Sequence, residues 1–308
     1  MKRILLLGGY GFIGSNILDY IDKNLSAKYE VVVFDKLPSH YAGLSFACVK
    51  KSYSGDFSDN LLIDNIFNEE KIDMVIHSIS TTVPATSFNA KYDVESNLIP
   101  TIGLLDCMIN HNVYDIAYIS SGGAIYGNGV HKHKESDDVF PVSSYGVVKL
   151  SIEKYLMQYS QLYGLKPLIL RLSNPYGKFH YSMKQGVVNV ALASAVNHQV
   201  FSIWGDGNSS KDYIFIEDFV NIMFQLIADK VNNSVFNVAS CQLLSVNQII
   251  DAVRTLNQTF KCEYKESSKL DVSNFALDNA KLLSLIGDYA FTSFKDGLEK
   301  TYKWLIDK

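Results

Sequence analysis

The stretch GGYGFIGS, residues 8–15, follows directly on the apolar run RILLL and opens a helical pattern, and no other feature of the chain restricts its fold as tightly. Gly8, Gly11 and Gly14 allow a tight turn, a close approach of backbone to a pyrophosphate and tight packing of helix on strand. Phe12 and Ile13 lie in the same turn, where a helix N-terminus directs N–H groups at an anion. The next apolar run, EVVVFD, ends in Asp35, about twenty residues on, as a dinucleotide fold requires. A carboxylate there accepts hydrogen bonds from both ribose hydroxyls and repels a 2′-phosphate, so NAD is expected over NADP. Lys36 follows at once and works against that preference.

Further short apolar runs, DMVIHS (73–78), DIAYISS (115–121) and LKPLILRLS (165–173), alternate with helical patterns at 13–24, 59–70, 94–112 and 145–164. Strands apolar on both faces and separated by helices predict a parallel, doubly wound α/β sheet of Rossmann type. Beyond residue 173 the rhythm changes, with helices expected near 184–197, 217–229, 245–257 and 294–306. Residues 1–172 are therefore read as the NAD-binding domain, with 212–239 returning to it. Residues 173–211 and 240–308 are read as a smaller α/β C-terminal lobe for the substrate.

A chain of 308 residues, 47% hydrophobic, can bury a large core. Its net charge of −4 leaves no broad basic surface, which argues against nucleic acid or an anionic membrane as partner. Cys48, Cys107, Cys241 and Cys262 form no C-x-x-C pair, and the H-x-H of HKHKE (131–135) stands among lysines, so no metal is expected. The apolar start is too short for a signal peptide and no run reaches membrane-spanning length, so the expected location is the cytoplasm.

SSYGVVKL places Tyr145 and Lys149 four residues apart on one helix face. A nearby ammonium favours the phenolate of a tyrosine, which can then take a proton from a sugar hydroxyl. With the glycine loop ahead of it, this pair is read as catalytic. His77 at a strand end reads equally as a core histidine or a cofactor contact, and Tyr155, Tyr159 and Tyr163 as packing for a helix or a dimer face.

GGYGFIGS, GDFSD, VIHSISTT, ISSGGAIYG, SSYGVVKL, RLSNPYG, SIWGDGNSSKDYIFIEDF and LDNAKLLSLIG together resemble the extended short-chain dehydrogenase/reductase family almost end to end. The likeness is greatest to its nucleotide-sugar 4-epimerases of the UDP-glucose type. The resemblance implies bound NAD, a nucleotide-sugar substrate and a homodimer. It implies that Asp56 and Phe57 lie near the adenine, with Asn97 and Pro175 near other parts of the cofactor, while Asp56 reads equally as a helix cap. It implies that Asn174 meets the sugar diphosphate.

The pattern breaks where the family carries a serine and this chain has Gly122, and where it often carries a threonine and this chain has Ala124. Tyr145 is then expected to act directly, with help from a hydroxyl of Ser80, Thr81, Thr82 or Ser121, of which Ser121 and Thr82 lead. Gly122 also reads as room for the sugar ring. Lys211 replaces a family arginine at the diphosphate, and Ser268 and Lys269 stand where another would precede Asp271-Val272; a lysine keeps the charge but loses the planar fork. Epimerisation at C4 leads, and a 4-ketoreductase of a nucleotide 4-keto-6-deoxy sugar uses the same residues. A 4,6-dehydratase fits less well, because GGAIYG lacks an acidic pair. A non-catalytic dinucleotide-binding protein is the reading from another class.

Overall fold

The computed structural model describes residues 1–36, 45–127, 132–183, 185–266 and 274–308. The chain runs β1 (Lys2–Leu7), α1 (Phe12–Tyr20), β2 (Tyr29–Asp35), β3 (Val49–Ser54), α2 (Asn60–Glu69), β4 (Met74–His77), α3 (Ala90–Asp93), α4 (Ile99–Asn110), β5 (Asp115–Ser121), α5 (Gly122–Ile125), α6 (Ser144–Tyr163) and β6 (Lys166–Leu172). It continues through β7 (Asn174–Tyr176), α7 (Val187–Val196), β8 (Phe201–Trp204), β9 (Ser210–Phe215), α8 (Ile216–Ala228), β10 (Ser234–Val238), β11 (Leu243–Ser245), α9 (Val246–Leu256), β12 (Cys262–Lys265), β13 (Asn274–Phe275), α10 (Ala280–Ile286) and α11 (Phe294–Ile306).

Seven strands form one sheet in the order β10-β6-β5-β4-β1-β2-β3, every neighbouring pair parallel. Apolar side chains leave both faces and helices cover both. Ile17 and Leu18 of α1 and Phe219, Val220 and Met223 of α8 close one side. Ile63 and Ile66 of α2, Leu104, Leu105 and Met108 of α4, and Ile152 and Leu156 of α6 close the other. Each such fully buried side chain stabilises the fold by roughly 1.5–3 kcal/mol.

The order reverses between β1 and β4, where the connections leave in opposite directions and open a crevice at the carboxyl ends of the strands. The segment 212–239 is divided between lobes: β10 lies at the edge of the large sheet beside β6, whereas β9 joins β7, β11 and β13 in a small four-stranded sheet. A third cluster, with Val188, Leu192, Tyr213, Ile249 and Val253, forms the core of the small lobe. Among the described residues no helix is long and apolar enough to cross a membrane.

Candidate active site

Gly8 has a positive φ of 79°, and a side chain on Gly14 would collide with the carbonyl oxygen of Gly8 and the backbone of Gly9, so strand end and helix start meet only through glycine. Gly11 precedes α1 with no side-chain cap, leaving the first N–H groups of that helix to an incoming anion. A cavity of 520 Å³ opens here, lined by Gly8, Gly11, Asp35, Lys36, Asp56 and Phe57 among others. Asp35 accepts a hydrogen bond from Tyr10 N at 2.9 Å, which fixes the carboxylate at the cavity wall.

Lys36 Nζ lies 2.9 Å from Asp56 Oδ2, and the pairing holds the Asp56 carboxyl well below its ordinary range. Asp56 also accepts from Ser58 N at 3.0 Å, while the cap of α2 proper is Asp59, which accepts from Leu62 N at 3.1 Å. Asn97 is buried and holds Thr81, whose amide donates to Asn97 Oδ1 at 2.9 Å. It stands behind the main cavities, in a small hollow shared with Thr82 and Tyr145.

A second cavity of 360 Å³ continues from the glycine loop past Phe12, Ile13 and Pro175 to Tyr145 and Lys149. Ser143 starts α6 by accepting from Gly146 N at 3.2 Å, which sets Tyr145 in its first turn. The Tyr145 phenol shares the cavity with the Ser121 and Ser80 hydroxyls, which oppose the rise in its pKa caused by burial. Ser121 ends β5 and Ser80 follows β4, so adjacent strands of the sheet deliver the two hydroxyls to one point.

Lys149 lies one turn further along α6 and donates to Ile119 O at 3.0 Å, and burial lowers its pKa to about 8. His77 is a core histidine: it shares a 3.0 Å hydrogen bond with Thr101 Oγ1, and burial pushes it down to about 3, so it stays neutral.

Thr82 is buried and lines a small hollow with Tyr145 and Lys149, and Ser80 lines both that hollow and the larger cavity. Gly122 is also buried, and a carbon on it would sit 2.5 Å from Leu277 Cδ1, so its missing side chain faces the core and not the sugar. Gly123 and Ala124 face the cavity in its place.

On the small-lobe side a cavity of 330 Å³ is walled by Ser121, Gly123, Ala124, Asn174, Lys211 and Phe275 among others. Lys211 also lines an adjoining cavity of 430 Å³ with Val187, Trp204 and Tyr213, so one ammonium stands at the junction of the two. Asn174 donates to Asp212 O at 2.8 Å, tying β7 to β9. Ser268, Lys269, Asp271 and Val272, with His131 of HKHKE, lie outside the described residues; His133 is buried and stacks between Tyr126 at 4.8 Å and Phe275 at 6.1 Å.

Sequence reasoning missed the network beneath the site. Glu153, one turn past Lys149, accepts from Ser120 Oγ at 2.6 Å and from Arg171 Nη2 at 2.7 Å. Arg171 Nη1 donates to Tyr126 Oη at 2.7 Å, and Tyr126 donates to Asn237 Oδ1 at 2.8 Å. The four-residue spacing of Lys149 and Glu153 was the available signal, since it sets both on one helix face.

A family model described as the NAD dependent epimerase/dehydratase family matches residues 4–239. A UDP-glucose 4-epimerase of Halalkalibacterium halodurans is 29% identical over 324 residues, covering 98% of this chain and 95% of that protein. A dTDP-4-dehydro-6-deoxyglucose reductase of Escherichia coli is 26% identical over 305 residues, with 97% and 96% covered. Among solved structures, the UDP-glucose 4-epimerase of Thermotoga maritima with UDP-glucose is 30% identical, has a TM-score of 0.91 and covers 99% of each chain.

Proposed function

The chain belongs to the NAD dependent epimerase/dehydratase family, and from that premise we propose that it inverts C4 of a nucleotide-activated hexose of the UDP-glucose/UDP-galactose type. The observation that carries the reading is the meeting of Tyr145 with Ser121 and Ser80 in a cavity continuous with the glycine loop. The fit to NAD rests on the side-chain-free cradle of Gly8, Gly11 and Gly14 and on Asp35 at the wall of the 520 Å³ cavity. NAD bound there supplies a hydride acceptor that later returns the hydride, so the sugar passes through a 4-keto form without net oxidation.

Tyr145 takes the C4 hydroxyl proton, and Ser121 and Ser80 stabilise the phenolate that must form first. Lys149 places a positive charge one turn below and holds the ribose. Asp35 meets the adenosine ribose, where a 2′-phosphate is repelled; Asp56 already neutralises Lys36, which weakens the counter-argument for NADP. Phe12, Ile13, Phe57 and Pro175 wall the cofactor, and Asn97 holds the loop at Thr81. Asn174 and Lys211 meet the sugar diphosphate, with the ring in the 330 Å³ cavity and the nucleotide in the 430 Å³ one. Exposed Val147, Leu162 and Tyr163 on α6 and Ile99 on α4 support a homodimer through that face.

A 4-ketoreductase keeps the same residues, and the likeness to the E. coli reductase favours it as the second reading. The test is cofactor bookkeeping during turnover of UDP-galactose. The proposal expects product far in excess of NAD, with no lasting change at the reduced-nicotinamide absorbance band. Inert UDP-sugars, with stoichiometric oxidation of NADH by a 4-keto-6-deoxy sugar nucleotide, would replace it with the reductase.

A further inference from the structure

On the outer layer of helices, away from the cleft, three different donor side chains converge. Cys107 in the last turn of α4 and His111, the residue that caps its C-terminus, stand four residues apart, and Asp64 reaches them from α2. His111 Nε2 lies 2.8 Å from Asp64 Oδ1, Cys107 Sγ lies 3.6 Å from the same oxygen, and all three ligand atoms fall within 4.8 Å of one another. The geometry points to a divalent transition-metal site, of the class that takes Zn²⁺, formed by Asp64, Cys107 and His111.

Tetrahedral zinc holds its ligands about 2.0–2.3 Å away, which sets them roughly 3.3–3.8 Å from one another. The sulfur–oxygen separation already falls in that range, and the imidazole and carboxylate need part by only about half an ångström. A thiolate, an imidazole and a carboxylate suit zinc or cobalt and not magnesium or calcium, which take oxygen.

Supporting contacts orient two of the three donors, as metal sites require. Asn68 Nδ2 donates to Asp64 Oδ2 at 3.0 Å, and the ring of Phe67 stacks on His111 at 5.5 Å and 26°. The side chains of Asp64 and His111 are 47% and 22% exposed, which gives an entry path and leaves a fourth position for water. Without metal, burial and Asp64 push the Cys107 thiol up to about 12; a dication at the same point reverses that field and displaces the proton. Filled, the site ties α2 to α4 and takes no part in turnover.

Cobalt(II), added to the protein after chelator treatment, tests the site by its thiolate-to-metal charge-transfer band in the near ultraviolet. The band should saturate at one equivalent, be displaced by zinc and vanish in Cys107→Ser. No band in the wild-type protein, or the same band in Cys107→Ser, overturns the assignment. His111→Gln, on the helix surface and with the thiol intact, is the second arm: zinc affinity should fall about 10-fold or more, and unchanged affinity would contradict the site.

Discussion

Burial raises the Tyr145 phenol above its ordinary value of 10.0, and the neighbouring Ser121 and Ser80 hydroxyls pull it back. Those hydroxyls favour the charged form, so removing either raises the pKa further. The active base is the phenolate, whose population grows as pH rises through that pKa. In Ser121→Ala the rising limb of kcat/KM against pH should therefore move to higher pH. The double variant with Ser80→Ala should lose about 10²–10⁴-fold at neutral pH, the range over which a positioned proton acceptor matters. A pH profile that overlays the wild type would remove both hydroxyls from the mechanism. The position of Ser121 beside Tyr145 was legible from its place at a strand end, but how Ser80 and Thr82 share the space around the phenol was not, because it depends on the path of the chain after β4.

At the scale of elements, the first turn of α5 decides what the glycine pair after Ser121 means. Gly122→Ser should not restore a lost catalytic hydroxyl; it drives a side chain into Leu277 and should cost about 1–3 kcal/mol in denaturant unfolding. Gly123→Ser has its nearest neighbour 3.7 Å away, at Phe275, so it should leave stability unchanged and alter KM. Equal unfolding midpoints for the two variants would show that Gly122 does not face the core.

The periodic helices were legible within a few residues, as with 145–164 against Ser144–Tyr163 and 294–306 against Phe294–Ile306. β3 was not, because VKKSYS lies at the sheet edge, half exposed, and lacks the continuous apolar character of the inner strands. The expected helix 94–112 is two pieces, a wide π-helical turn at Val94–Leu98 and then α4, with Pro100 at the start of the second. Asn97 is carried on the wide turn, a placement that apolar spacing does not reveal.

Across the whole molecule, the Glu153–Arg171–Tyr126–Asn237 chain joins α6 to the outer strands β6 and β10, and Asn237 Nδ2 passes the connection to Asp278 O of the small lobe at 3.2 Å. Arg171 and Glu153 side chains are 6% and 3% exposed, so Arg171→Met leaves a buried carboxylate without its partner. That should cost about 3–5 kcal/mol, read from chemical unfolding; a loss below about 1 kcal/mol, the worth of an exposed pair, would mean the network is not buried as described.

Beyond the Lys149–Glu153 spacing, the sequence does not signal this connection, since its links span 18 to 111 positions. The cleft it supports was legible, because the glycine loop and the Tyr145–Lys149 pair each specify local geometry that the sheet then brings together. The most direct measurement is a proton NMR time course of the NAD-loaded protein with UDP-galactose, run beside Tyr145→Phe. Steady appearance of UDP-glucose with the wild-type protein and none with the variant is the predicted result; conversion that persists in Tyr145→Phe would contradict the account.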